Sequence, residues 1–132
     1  MEPEGVVNAL SRIHRAVKEG GFLLDLHPTK PFATVEAGGV GLGALDEREF
    51  MELVAETEAG LDESVQSGLF TLEEAVRFDV LERFDSADEL VRKVDDDWFG
   101  VSVPKLVARA VRAGGAPFDI RERVVLQRFH VL

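Results

Sequence analysis

Three pairs of adjacent glycines divide this chain of 132 residues into segments with different hydrophobic patterns. The pair at residues 20–21 follows a stretch whose apolar side chains recur every three or four residues, which predicts an amphipathic helix that ends at the glycines. The pair at residues 38–39 separates two extended runs and predicts a tight hairpin. The pair at residues 114–115 ends another amphipathic stretch. The chain therefore combines short helices with strands.

The segments between the glycine pairs supply the next elements. Residues 22–26 form a short apolar run, which predicts a strand buried on both faces. Asp46 opens an Asp-x-x-Glu capping pattern, and helical spacing continues to Gly68. Residues 69–84 allow two interpretations, since their first part could open a helix whereas the alternation over residues 78–84 favours a strand. We predict a strand for the second part.

Two helix signals and a final strand complete the chain. Ser86 and Glu89 form a Ser-x-x-Glu capping box, and Pro104 suits the first turn of a further helix. Residues 118–131 are rich in valine and phenylalanine and predict a long strand. The order α-β-β-β-α-β-α-α-β predicts a single domain over residues 1–132. Its fold class is α/β with α+β character, a mixed sheet with an antiparallel strand pair and helices packed on it.

The composition excludes several kinds of site and partner. The chain has no cysteine, which excludes a disulfide framework, a thiolate zinc site and a cysteine nucleophile. A net charge of −10 opposes binding to nucleic acid or to an anionic membrane surface. Residues 1–5 are acidic and lack the basic and apolar segments of a signal peptide, so we expect a cytoplasmic protein.

The charges are distributed unevenly along the chain. Residues 1–100 carry 9 basic and 23 acidic side chains, whereas residues 101–132 carry 6 basic and 2 acidic ones. We expect the basic C-terminal strand to pack near the acidic helices of its own chain. The alternative is that it meets an acidic face of another copy or of a partner.

His27 is the histidine that most resembles a site residue. It ends a predicted strand and lies two residues after Asp25, on the same strand face. Ligands of open α/β sheets bind outside the carboxyl ends of strands, so Asp25 and His27, together with Arg83, are candidate ligand-binding residues. The alternative for His27 is a hydrogen bond to a nearby backbone group. We assign no catalytic residue and no metal ligand, since no two histidines have the helical spacing of a metal pair.

Two further motifs have simpler explanations. Residues 39–43 match the Gly-x-Gly-x-Gly pattern of nucleotide-binding loops, but the hairpin explains these glycines sufficiently. Residues 95–97 are three consecutive aspartates without the alternating spacing of a calcium loop, and we interpret them as a solvated helix end.

Residues 9–28 resemble one stretch of the class I S-adenosylmethionine-dependent methyltransferases. In that family a helix ending in a His/Tyr-Arg-x-Leu-Lys-Pro-Gly-Gly pattern leads into the fifth strand. The corresponding sequence here is His-Arg-Ala-Val-Lys-Glu-Gly-Gly at residues 14–21, with Glu19 where the family usually has proline. Residues 78–84 and 121–131 would then correspond to the family's sixth and seventh strands, which form an antiparallel pair.

The resemblance covers the second half of that fold. The family holds its cofactor with the first half, so the resemblance implies no cofactor site and no catalysis in this chain alone. It implies a half domain that acts as a dimeric interaction or regulatory module. Two alternatives remain open. In the first, the chain is one part of a split methyltransferase, which would bind S-adenosylmethionine only when a separate chain completes it. In the second, the chain is a small-ligand-binding dimer with a pocket at the strand ends.

The resemblance also has a consequence for the first strand. In the full fold the fifth strand pairs with the fourth, so residues 22–26 would here leave an unpaired apolar edge, which is an aggregation hazard unless it is covered. The hairpin of residues 32–45, a second copy, or a separate protein could cover it. We predict a homodimer with the first helix and the first strand near the interface.

Overall fold

The computed structural model describes residues 3–132, which form four helices and five strands. In chain order the elements are α1 Pro3–Ala16, β1 Phe22–Pro28, β2 Thr34–Ala37, β3 Val40–Ala44, α2 Arg48–Gln66, β4 Phe70–Phe84, α3 Ala87–Asp97, α4 Lys105–Ala113 and β5 Phe118–Val131. The predicted order of elements and the predicted fold class are both confirmed. No helix among these residues is long and apolar enough to cross a membrane.

The five-stranded sheet is organised around β5. This strand pairs with β1, β2 and β4, and β3 is added through β2. β2 runs antiparallel to β5, from Thr34 opposite Arg121 to Ala37 opposite Phe118. β2 is also antiparallel to β3. Among the described strands β1 and β4 each pair only with β5, and β3 pairs only with β2, so all three are edge strands.

The chain divides into two compact units, each with its own hydrophobic core. The first unit comprises the chain up to Pro28, Met51–Arg77 and Val125–Leu132, and the second comprises Thr29–Phe50 and Phe78–Val124. The core of the first unit is formed by Val6, Leu10, Leu61, Phe70, Phe129 and Val131. The core of the second unit is formed by Ala33, Val35, Leu45, Phe84, Leu90, Val94, Val101, Val107, Val111, Phe118 and Ile120.

Most of the local signals in the sequence correspond to observed turns and caps. Gly38 and Gly39 form the β2–β3 turn with φ of 57° and 82°, the left-handed region that a two-residue hairpin needs. The Ser86 hydroxyl accepts a hydrogen bond from the Glu89 amide at 3.1 Å, so the predicted cap of α3 is confirmed. α2 differs slightly, because Asp46 accepts a hydrogen bond from the amide of Arg48 rather than from Glu49.

Two sequence-based expectations are wrong. Residues 70–84 form one continuous strand, so the helix considered for the first part of this segment does not exist. β1 is not buried on both faces: Phe22, Leu24 and Leu26 are 56%, 64% and 58% exposed, while the intervening side chains lie towards the core of the first unit. An apolar run of this length predicts a strand correctly, but it does not reveal how many faces are covered.

The basic residues of β5 contact acidic residues of neighbouring strands. Arg121 binds Glu36 of β2 at 2.8 Å and Asp79 of β4 at 2.9 Å, and Arg128 binds Glu73 of β4 at 3.1 Å. The acidic partners therefore belong to the same chain, as expected, but these three lie on strands and not on helices.

Candidate functional site

Asp25 and His27 contact each other on the inner face of β1, as their spacing predicts. The Nδ1 atom of His27 lies 2.5 Å from Oδ2 of Asp25, and its Nε2 atom lies 3.2 Å from Oε1 of Glu58 in α2. Carboxylate oxygens only accept hydrogen bonds, so His27 is the donor in any hydrogen bond to these groups. His27 is buried, at 8% exposure, and it links β1 to α2 within the first unit.

These contacts engage Asp25 and His27 within the first unit, and their role in binding a ligand stays a prediction. Both ring nitrogens of His27 face partners of the same unit, which leaves neither of them directed at a ligand. The partners are two carboxylates, not the backbone group considered from the sequence. Glu58 has no distinctive sequence context, so the sequence offered no signal for it.

Arg83 belongs to the second unit. Its guanidinium binds Asp119 through two contacts, Nε to Oδ1 at 3.1 Å and Nη2 to Oδ2 at 3.3 Å. The arginine side chain is largely exposed, and its donors are directed along the β4–β5 pair. Its proposed membership of a ligand site with Asp25 and His27 stays a prediction.

The remaining motifs do not form ion or nucleotide sites in the described residues. Val40–Ala44 is a strand of the hairpin and not a loop that precedes a helix. The aspartates at residues 95–97 end α3 and are exposed, as expected, and Asp95 accepts a hydrogen bond from the amide of Val103 at 3.0 Å. Among residues 3–132 no group of three or more histidine and carboxylate side chains could hold a metal ion.

The outer side of β1 is an exposed apolar strip at a sheet edge. Phe22, Leu24 and Leu26 alternate along the strand and point away from the core. We call these three side chains the apolar face of β1. The Arg128 guanidinium lies 5.4 Å from the centroid of the Phe22 ring and partly shields that end of the face. Leu24 and Leu26 remain the most exposed positions of this strand.

β4 is another edge strand, and it carries more charge than β1. It also exposes apolar side chains, since Val76, Phe78 and Val80 follow one another on one face of the strand. Charged residues occupy much of the rest of the strand, and several are held in ion pairs with β5, such as Glu73 with Arg128. Charges along an edge strand oppose pairing with another chain, and β1 has fewer of them than β4.

A cavity of about 190 Å³ lies in the second unit. It is lined by Glu47, Phe50, Trp98, Phe99, Val101 and Glu122. The backbone around it is held by a bridge in which Asp46 and Ser102 exchange two hydrogen bonds, at 2.9 and 3.0 Å. The amide of Phe50 adds a bond to the Gly100 carbonyl at 3.2 Å. These contacts fix the segment that carries Glu47 against the segment that carries the aromatic residues.

Two of the residues that line this cavity carry carboxyl groups with raised pKa values. Glu47 is 1% exposed, and its Oε1 atom accepts a hydrogen bond from the Ala33 amide at 2.5 Å. Its Oε2 atom is buried and accepts none from the described residues. Burial raises the pKa of Glu47, and burial together with the charges of Glu47 and Glu82 raises the pKa of Glu122.

The sequence did not reveal this pair. Glu47 follows Asp46 at the start of a helix, where acidic residues are common, and Glu122 lies within a charged stretch of the final strand. Glu47 and Glu122 are far apart in the chain, so their positions in the sequence do not predict that they line one cavity. Trp98, the single tryptophan, is the C-terminal cap of α3, packs against the core of the second unit and lines the cavity.

Comparisons with protein-family models, with curated proteins and with solved structures found no match.

Proposed function

We propose that this chain is a methyltransferase-like half domain that acts by association rather than by catalysis of its own, and that it forms a homodimer through β1. The observation that carries the proposal is the apolar face of β1 on a strand with a single neighbour. An edge strand with three exposed apolar side chains is a template for pairing with another chain. The antiparallel arrangement of β4 and β5 fits the resemblance, which implies such a pair.

The backbone of β1 is suited to pairing with a second copy. The Gly21 carbonyl accepts a hydrogen bond from the Val131 amide of β5 at 2.9 Å. Because the direction of backbone hydrogen bonds alternates along an antiparallel strand, the odd-numbered residues face β5 and residues 22, 24 and 26 direct theirs outward. Their amides and carbonyls are then available to an added strand.

A two-fold axis at Leu24 would use these groups fully. Leu24 then lies opposite Leu24 of the second copy, and Phe22 lies opposite Leu26 of that copy. Directly opposed side chains on one sheet face pack against each other, so all six apolar side chains would form one cluster. Asp25 points to the other face, where it binds His27, so the cluster contains no carboxylate.

The experiment measures the mass of the protein in solution by light scattering at micromolar concentration. We expect a dimer for the natural chain and a monomer for Leu24→Lys, with a dissociation constant raised at least about tenfold because the substitution removes an apolar contact and places two like charges together. Leu106→Lys changes an exposed leucine of α4 and should leave the dimer intact.

Three results would overturn the proposal. The proposal is wrong if the natural chain is a monomer in solution. It is also wrong if the natural chain is a dimer and the Leu24→Lys variant dimerises equally well. A dimer disrupted by Leu81→Lys on β4, but not by Leu24→Lys, would place the interface at the other sheet edge.

The proposal also includes the absence of a cofactor site and a cytoplasmic location. The cavity lined by Glu47 and Trp98 has a volume of about 190 Å³, below the roughly 300–1,000 Å³ of sites that enclose drug-sized ligands. A chain without cysteine lacks the disulfide framework that stabilises many small secreted domains. The split-enzyme alternative rests on the same open edge, and it predicts that β1 binds a different chain in preference to its own copy.

A further inference from the structure

The cavity of the second unit combines three properties that need a common explanation. Its lining includes Glu47, which is 99% buried and has one carboxyl oxygen without a hydrogen-bond partner among the described residues. A second acidic residue, Glu122, lines the same cavity. The rest of the lining is largely aromatic, with Phe50, Trp98 and Phe99. A buried acceptor without a donor costs free energy, so such an atom indicates that something else can satisfy it.

The charges around the cavity favour a positive ligand. The pKa of Glu122 is raised by burial first, and then by the negative charges of Glu47 and Glu82. Lys93 does not neutralise this cluster from inside the cavity, because its ammonium binds Glu82 at 2.6 Å and it is not part of the lining. A cation between Glu47 and Glu122 would relieve the repulsion between the two carboxylates and offset their burial.

The aromatic lining favours the same ligand class. Cations are attracted to the faces of aromatic rings, and tryptophan is the strongest partner of this kind. Phe99 is 68% exposed although it lines the cavity, so its ring is available at the entrance.

We propose that this cavity binds a small alkylammonium ion, whose N–H groups donate to Glu47 and Glu122 while its carbon chain contacts Trp98 and the phenylalanines. The volume of about 190 Å³ suits an amine of a few carbon atoms. A quaternary ammonium ion carries the same charge but has no N–H group for the unpartnered Oε2 atom of Glu47. The site therefore favours primary amines. This inference is independent of the proposed dimer.

Trp98 provides the measurement, because it is the only tryptophan of the chain and it lines the cavity. Fluorescence is followed while the full chain is titrated with n-butylammonium chloride. n-Butanol, sodium n-butyrate and tetramethylammonium chloride serve as the neutral, anionic and quaternary comparison ligands. We expect a saturable change with n-butylammonium and an affinity at least about tenfold lower for each of the other three, since hydrogen bonds to charged groups contribute strongly.

Two variants test the carboxyl groups. Glu47→Gln keeps an oxygen for the Ala33 amide and removes the negative charge, and it should lower the affinity for n-butylammonium at least about tenfold. Glu49→Gln, which changes an exposed carboxyl group two residues away, should bind as the natural chain does. If Glu47→Gln does not fold, as judged by circular dichroism, Glu122→Gln replaces it with the same expectation.

The proposal is overturned by any of four results. These are no saturable change with n-butylammonium, an equal affinity for n-butanol, an equal affinity for tetramethylammonium, and an unchanged affinity in the folded carboxamide variant.

Discussion

Two buried ionisable side chains, His27 in the first unit and Glu47 in the second, differ in how their polar atoms are satisfied. His27 has a carboxylate at each ring nitrogen, at 2.5 and 3.2 Å. Glu47 has one hydrogen bond, from the Ala33 amide, and one unpartnered oxygen. A satisfied buried group can serve stability alone, whereas a partly satisfied one costs stability. Glu47 is therefore the residue at which stability and ligand binding are most closely connected.

Glu47→Gln should make the stability of the protein less sensitive to rising pH. Below the ordinary pKa of glutamate the carboxyl group is protonated in both the folded and the unfolded chain. As the pH rises from the ordinary pKa through the raised pKa of the folded state, Glu47 ionises more readily in the unfolded chain than in the folded chain, so the free energy of unfolding falls. Glutamine does not ionise, so the Glu47→Gln variant does not show this fall. Its free energy of unfolding, measured with urea from acid to mildly alkaline pH, should therefore rise relative to that of the natural chain as the pH rises.

The exposed Glu49→Gln variant provides the control and should show no such trend. The negative charges of Glu47 and Glu82 both act on Glu122, and Lys93 forms an ion pair with Glu82. Removing the charge of Glu47 therefore also weakens the repulsion on Glu122, and the pH trend of Glu47→Gln includes this effect. A relative stability of Glu47→Gln that falls with rising pH would show that the fold favours the charged carboxylate, contrary to this account.

At the scale of elements, the contact between the hairpin and α4 depends on Gly43. This residue has a φ of 136°, and a Cβ atom built there would lie 2.7 Å from the Cγ2 atom of Val107. The side chain of Val107 belongs to the core of the second unit, so it has little freedom to move. The third glycine of the Gly-x-Gly-x-Gly pattern is thus explained by packing of β3 on α4 and not by the approach of a phosphate.

Gly43→Ala should destabilise the protein more than Gly39→Ala does. Both substitutions place a side chain at positive φ, but a Cβ atom at Gly39 meets nothing within 4 Å. The difference between the two free energies of unfolding combines the clash with Val107, for which overpacking costs about 1–3 kcal/mol, with the greater backbone strain of an alanine at φ of 136°. Equal values for the two variants, measured with urea at one pH, would mean that Val107 yields without cost.

The elements of this fold could be predicted where the signal was local, and the errors lie where it was not. The glycines of the hairpin and the Ser86 cap act on backbone groups within three residues, so sequence alone identified them. Residues 70–77 carry both helical and extended preferences, and pairing with the distant β5 decides between them. The outward face of β1 depends on which neighbour is present, which an apolar run does not encode.

The candidate site shows the same division. Asp25 and His27 were placed together correctly because they are two residues apart on one strand. Glu58, which completes their contact, comes from a helix that begins far along the chain. Glu47 and Glu122 are brought together by tertiary structure alone. Contacts of this kind have no signature in a single sequence.

At the scale of the whole molecule, the edge strands β1 and β4 differ in charge. Both pair with β5, but β4 carries charged residues over much of its length, whereas β1 presents an apolar face. The resemblance to methyltransferases and the apolar face of β1 support the same proposal, that this chain acts by association. Under that proposal its role depends on what pairs with β1.

Titration with S-adenosylhomocysteine tests the cofactor part of the proposal. We expect no detectable heat from the folded protein, because the cavity is small. Its lining also has no counterpart of the Gly-rich loop that holds the cofactor in the methyltransferases that this chain resembles. Circular dichroism on the same sample verifies that the protein is folded. Binding in the micromolar range would contradict the proposal and would direct attention to a methyl acceptor.

The most direct test of the proposed dimer uses the absence of cysteine from the chain. Leu24→Cys introduces a single thiol at the proposed two-fold axis. Directly opposite residues in an antiparallel pair have Cα atoms about 4.5–5.5 Å apart, within the range that a disulfide spans. We predict that mild oxidation converts this variant almost completely to a covalent dimer, whereas Leu106→Cys on α4, at the same concentration, stays largely monomeric. Equal yields for the two variants would contradict an interface centred on β1.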